Sequence, residues 1–154
     1  MKISIRIATP HDWKIIQKFN NEVFEDNAKY DPFMLDNWAF SKFGIAYYQK
    51  ITRDKVYSAF IAEVEGKPIG YLVSTKHIRT YRKLKIIEID NIGVTLKYRS
   101  KGIGKALVKH FIRWAKDHGF NAIFVNTYYA NKRAINFYSS LGMKPIDVSL
   151  EMKI

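Results

Sequence analysis

The stretch KYRSKGIGKAL, residues Lys97 to Leu107, sets Arg99, Gly102 and Gly104 in a basic run directly ahead of a helix-like pattern. Glycine lacks a Cβ, so backbone there can close on a ligand, and the free N–H groups of a first helical turn point outward from the positive end of the dipole. That chemistry suits a phosphate. A Walker A loop requires G-x-x-x-x-G-K-[ST], but Arg99 stands in place of the first glycine and Ala106 in place of the hydroxyl residue. A dinucleotide fingerprint requires Gly or Ala three residues after Gly104, where Leu107 stands. The pattern that survives is [QR]-x-x-G-x-[GA], which accommodates a pyrophosphate; a plain strand-to-helix turn needing glycine for its geometry has the same letters.

The elements around this loop follow from periodicity. ISIRI alternates as a strand, and TPHD reads as a helix start with Thr9 as N-cap, Pro10 at the first helical position and Asp12 closing a capping-box-like pattern. A helix to about Phe24, a second helical region over LDNWAFSKFGIAYYQKIT, and a hairpin of VYSAFIAEV and IGYLVSTKHI around EGKP come next. KIIEIDNIGV reads as a strand leading into the loop. A helix from about Gly102 to His118 carries the apolar stripe Ile103, Leu107, Phe111 and Trp114. The strand AIFVNT, the short helix NKRAINFYSSLG and a last strand from Lys144 to Met152 complete the order. The 154 residues are read as one domain, of α/β or α+β class around a mixed sheet.

From Glu88 to Gly142 the chain resembles the GCN5-related N-acetyltransferase (GNAT) family. The strand IEIDNIGV, the loop YRSKGIGKAL and the strand AIFVNT are followed by NKRAINFYSSLGM, similar to the family's N-x-x-A-x-x-x-Y-x-x-x-G-F with Met143 in place of Phe. FIAEVEGKPIGYLVS is similar to the hairpin before the acetyl-CoA strand. The resemblance implies a mostly antiparallel mixed sheet with splayed parallel central strands, flanked by helices on both faces. It implies acetyl-CoA as cosubstrate, with N–H groups of Arg99, Ser100, Lys101, Gly102, Ile103, Gly104 and Lys105 around the pyrophosphate and backbone groups of Ile92 and Val94 pairing with pantetheine. An unpaired strand edge is able to satisfy such a chain. Gly93 could mark a bulge that opens the edge, or could serve only close packing. Asn131 caps the last helix or touches the cofactor, with capping ranked first. Tyr138, two helical turns on, matches the family's tyrosine near the thioester sulfur.

Direct attack by an amine is the expected chemistry, since the chain has no cysteine and no G-x-S-x-G elbow. An ammonium near pKa ~10.4 against a glutamate near ~4.3 makes outright deprotonation roughly 8 kcal/mol uphill. A carboxylate must therefore be raised by burial, act through water, or receive the proton after attack. Glu88 and Asp90 are the candidates, because alternation places them on one face of the strand that continues to Ile92 and Val94. Glu88 also matches the base of the histone-acetylating branch of the family. Trp38, Phe40, Tyr47 and Tyr48 could line an acceptor pocket, although aromatics at helical spacing are more often core.

The histidines His11, His77, His110 and His118 lack ligand spacing, so no metal is expected and they read as lone surface residues. The basic segment KHIRTYRKLK reads as a solvated hairpin end. A formal charge of +12 attracts anions; one phosphate-bearing ligand accounts for it more simply than nucleic acid. No membrane partner is expected, the N-terminus lacks a signal-peptide pattern and the reading is cytoplasmic. A homodimer is an expectation at family level only. The partners expected are thus acetyl-CoA and a primary amine from a small molecule, amino acid or protein. The alternative is a catalytically silent acyl-CoA-binding module with a basic face for protein or RNA.

Overall fold

A computed structural model describes residues 2–154. Five strands, β1 (Ile3–Ile7), β2 (Tyr57–Val64), β3 (Lys67–His77), β4 (Ile86–Val94) and β5 (Ala122–Val125), form one sheet in chain order. All neighbours pair antiparallel except β4 and β5, which run parallel. The helices are α1 (Trp13–Asn27), α2 (Lys42–Ile51), α3 (Ile103–Asp117) and α4 (Lys132–Ser139).

Strand alternation divides the apolar residues between two faces. Phe60, Leu72, Ile87 and Ile89 pack with Ile103, Leu107 and Phe111 of α3, while Ile61, Tyr71 and Val73 pack with Ile16 and Tyr48 of α1 and α2. Each of these side chains contributes about 1.5–3 kcal/mol by leaving water. Helices therefore cover both faces of a mixed sheet, as expected, and the α3 stripe faces the core, with Trp114 at its partly buried margin.

The start of α1 comes three residues later than the sequence suggests, because Pro10–Asp12 form a 3-10 turn first. Asp12 accepts from the Thr9 N–H (2.7 Å) and hydroxyl (2.9 Å) and pairs with Arg6 (2.8 Å). The Arg6 hydrogen bonds hold its carboxyl down at about 2.

The expected strand over Lys144 to Met152 is absent. Ile146, Val148, Leu150 and Met152 keep their alternation, yet all are exposed and the segment has no ladder partner among the described residues. Alternation assigns a strand's faces, but only a neighbouring edge supplies its hydrogen bonds. The parallel pair consequently ends the sheet instead of lying at its centre. Among the described residues no helix is long and apolar enough to cross a membrane.

Candidate active site

The site is built on a single irregularity in β4. Asn91 pairs with Val73 and Ile89 with Ser74, so Asp90 is an extra residue, a β-bulge. The bulge reverses the parity of the strand. Ile87 and Ile89 lie on the α3 face before it, and Ile92 and Val94 lie on that same face after it. The expectation of uninterrupted alternation from Glu88 to Val94 is thereby corrected. Gly93 is not the bulge: a Cβ on it would stand 2.7 Å from Tyr71 Cε1 and 2.8 Å from Val23 Cγ2, so its role is close packing.

The same strand changes neighbours. β5 pairs with Ile86 to Ile89 and ends at Val125, leaving the following residues of β4 bonded only to β3. Thr95 N–H donates to Ile69 O (3.0 Å), so antiparallel alternation gives Gly93 to β3 and turns the backbone groups of Ile92 and Val94 outward. Arg99 Nε already donates to the Val94 carbonyl (2.8 Å). The open edge thus offers both backbone groups of Ile92 and the N–H of Val94.

Beyond β4 the chain passes through a 3-10 turn, Leu96–Tyr98, into the glycine loop. Arg99 departs from its expected role, since its N–H donates to Leu96 O (3.2 Å) and its guanidinium pairs with Asp26 (2.5 Å) and Glu22 (3.8 Å) of α1. It clamps the loop. The N–H groups of Ser100, Lys101, Gly102, Ile103, Gly104 and Lys105 have no acceptor among the described residues, the first helical bond being Ala106 to Gly102 O (2.9 Å). Ser100 (φ 60°) and Gly102 (φ 82°) adopt left-handed conformations, the backbone geometry from which anion-binding nests of successive N–H groups are built. These unpartnered donors and the adjoining open edge fit a pyrophosphate joined to an amide-bearing arm.

The two carboxylates have different surroundings. Glu88 is half-buried, and its Oε2 lies 2.7 Å from His77 Nδ1 at the end of β3. His77 stacks on Phe124 of β5 at 4.3 Å between ring centres, and Arg79 Nε donates to its Nε2 at 2.6 Å. Asp90 is exposed and accepts from Asn91 Nδ2 (3.0 Å) and the Tyr47 hydroxyl. Burial and the Asp90 charge push the Tyr47 hydroxyl far above its ordinary pKa, so it stays a donor.

Tyr138 of α4 packs at the margin of the α3-side core, and burial pushes its hydroxyl up to about 12. It stands close enough to Tyr71 to act on that hydroxyl electrostatically. Asn131 caps α4, its Oδ1 accepting from Ala134 N–H (3.0 Å). Of the aromatic quartet, Tyr48 is fully buried, Trp38 packs against Phe24 and both tyrosines, and Phe40 is exposed, leaving Tyr47 as the one that reaches Asp90.

His77, Arg79 and Asn91 were not legible as site residues. His77 reads as a surface histidine and Arg79 as part of a solvated basic turn. The available signal was hairpin register: Thr75 opposes Glu88, so His77, two residues on, shares its face as a diagonal neighbour.

Comparison with known proteins bears on the family and the fold. The model of the acetyltransferase (GNAT) family matches residues 16–143. An uncharacterized N-acetyltransferase of Methanocaldococcus jannaschii is 36% identical over 90 residues, covering 58% of this chain and 40% of that protein, so the chain spans less than half of that relative. An N-alpha-acetyltransferase of Sulfurisphaera tokodaii is 30% identical over 113 residues, 66% of each chain. The structure of the tetramutant of the Bacillus halodurans protein BH1408 superposes with a TM-score of 0.84 at 25% identity, covering 98% of this chain and 99% of that one. With the family's pattern running through the bulged strand, the donor loop and α4, this chain belongs to the acetyltransferase (GNAT) family.

Proposed function

We propose that this protein transfers the acetyl group of acetyl-CoA directly to a primary amine while both substrates are bound. The observation that carries the reading is the fork in β4: past Ile89 the strand loses β5, and the open edge leads straight into six consecutive unpartnered N–H groups. When bound, acetyl-CoA supplies an activated thioester acyl group. The residues of this chain do the rest.

N–H groups of Ser100 to Lys105 hold the pyrophosphate, and Ile92 and Val94 orient the pantetheine arm. Glu88 is the proton acceptor; Oε2 is held by His77, while Oε1 receives no hydrogen bond among the described residues. It takes the amine proton at Oε1, directly or through water, as the ammonium becomes acidic on attack. Tyr138 holds its proton. Donating it outright to a thiolate near pKa ~8.5 from a hydroxyl at about 12 costs about 5 kcal/mol, so a hydrogen bond in the transition state is its role. Asp90, exposed beside Tyr47, is placed to hold the acceptor's ammonium before reaction.

The acceptor panel follows from charge. A net charge of +12 repels polycations at long range, which favours amino acids, small monoamines and peptide N-termini over aminoglycosides. The test is thiol release from acetyl-CoA with each of these amines, comparing wild type with Glu88→Gln and Tyr138→Phe. Amine-dependent release that falls in both variants while CoA binding persists supports the reading. CoA binding without turnover would instead identify a silent acyl-CoA-binding module.

A further inference from the structure

The side chains behind Glu88 form a directional chain, Asp147 to Arg79 to His77 to the carboxylate, with Phe124 packed against it. Arg79 Nε is a permanent donor and lies 2.6 Å from His77 Nε2, so that nitrogen must be the acceptor and carries no proton. The only ring proton is then on Nδ1, which donates to Glu88 Oε2 at 2.7 Å. A ring stack, a cation–π contact and an ion pair hold this arrangement. Phe124 stacks on the imidazole and also lies under the Arg79 guanidinium (4.8 Å), and Asp147 of the C-terminal segment accepts from both terminal nitrogens of Arg79 (3.3 and 3.4 Å).

We propose that His77, locked by Arg79 as the neutral Nδ1–H tautomer, is a positioning residue that pins Glu88 Oε2 and leaves Oε1 as the single oxygen presented to the acceptor amine. The inference rests on the acetyltransferase reading for its catalytic consequence, and on geometry alone for the tautomer. Glu88 is the flexible member: two carboxylate oxygens on a three-torsion side chain have no fixed orientation at a strand surface unless one is bonded. A donor at Nδ1 removes that freedom without occupying the second oxygen. Arg79 has the complementary duty, because a histidine free to protonate Nε2 could turn its bare Nδ1 toward the carboxylate and lose the bond.

The tautomer is read first, on the protein without substrate, by long-range proton–nitrogen correlation of the His77 ring at neutral pH. The expected pattern is a protonated Nδ1 and a bare Nε2, changing to Nε2–H or to a mixture in Arg79→Met. An Nε2–H or doubly protonated ring in the wild type overturns the proposal. In turnover, His77→Asn keeps a donor the same number of bonds from Cα as Nδ1 and should stay within about threefold of wild-type kcat. His77→Gln and His77→Ala should lose on the order of 10–100-fold in kcat with KM for acetyl-CoA unchanged. Equal losses in Asn and Ala variants that remain folded overturn the positioning role. Should Glu88→Gln retain wild-type turnover, the acetyltransferase role of Glu88 fails while the tautomer result still decides the Arg79–His77 half. If Glu88→Gln is inactive and His77→Ala is not, only this inference fails.

Discussion

The two halves of β4 are four-residue segments of one strand with opposite duties. Ile86 to Ile89 lies between β3 and β5, so its backbone is paired on both sides and its side chains are fixed by both neighbours. Asn91 to Val94 keeps β3 alone and exposes a row of backbone groups. One extra residue, Asp90, separates them. The first half suits a proton acceptor whose position must not drift, and Glu88 stands there against His77. The second suits a ligand that completes the sheet, and no charged side chain stands there. A bulge thus lets one strand present a pinned carboxylate, the proton acceptor of the proposed reaction, and an unfilled ladder within about 13 Å of chain, at ~3.3 Å per residue.

The most direct way to break this contrast is Glu88→Gln, which should lower kcat by about 10²–10⁴-fold while acetyl-CoA affinity, read by calorimetry, stays within about twofold. Equal loss of affinity would mean that the paired half also holds the cofactor. Gly93→Ala attacks the other half. Its Cβ would meet Tyr71 Cε1 at 2.7 Å and Val23 Cγ2 at 2.8 Å, and urea unfolding should show about 1–3 kcal/mol of destabilisation. An unchanged midpoint would show that the open half is not held by α1.

Acid separates stability from catalysis. Asp12 falls from 3.8 to about 2 on folding, chiefly through the Arg6 hydrogen bonds, which is worth about 2 kcal/mol. A depressed carboxylate stabilises above its unfolded pKa, so this contribution is complete above pH ~4 and is lost as pH falls toward 2. Arg6→Gln should flatten that part of the acid-unfolding curve; a rate loss at mild acidity that survives in Arg6→Gln belongs to the site. The smallest expected effect is at the bulge itself. Asp90→Asn keeps the Tyr47 and Asn91 partners and should raise KM for the acceptor amine by less than about tenfold with kcat nearly unchanged. A loss as large as that of Glu88→Gln would reassign the proton acceptor to Asp90.

Legibility followed the range of the interactions. The α3 stripe, the hairpin and the glycine loop depend on neighbours a few residues apart, so their periodicity and glycine positions could be read directly. The spacing of Asn131 and Tyr138 likewise put both on α4, one at its cap and one within it. The bulge was invisible because no letter of IEIDNIGV marks an extra residue; it emerges only when β4 is laid against β3. The missing final strand failed in the opposite sense. PIDVSLEM alternates well, yet no edge accepts it. Arg99 shows a third limit, since its motif position pointed its N–H to the ligand, while that N–H closes on Leu96 O and its side chain meets Glu22 and Asp26, more than seventy residues earlier.

By itself the sequence determined the order of the elements through α4, the apolar stripe of α3, the glycine loop at its start and the family resemblance, because each is written in local spacing that survives any later packing. Tertiary structure decided which nitrogen faces which oxygen. His77 and Glu88 are eleven residues apart, Arg79 and Asp147 sixty-eight, and Tyr47 and Asp90 forty-three. Such pairs meet only after register, bulge and helix docking are set. A hydrogen bond is lost with a misplacement of about 1 Å, a tolerance that side-chain spacing along a chain does not encode.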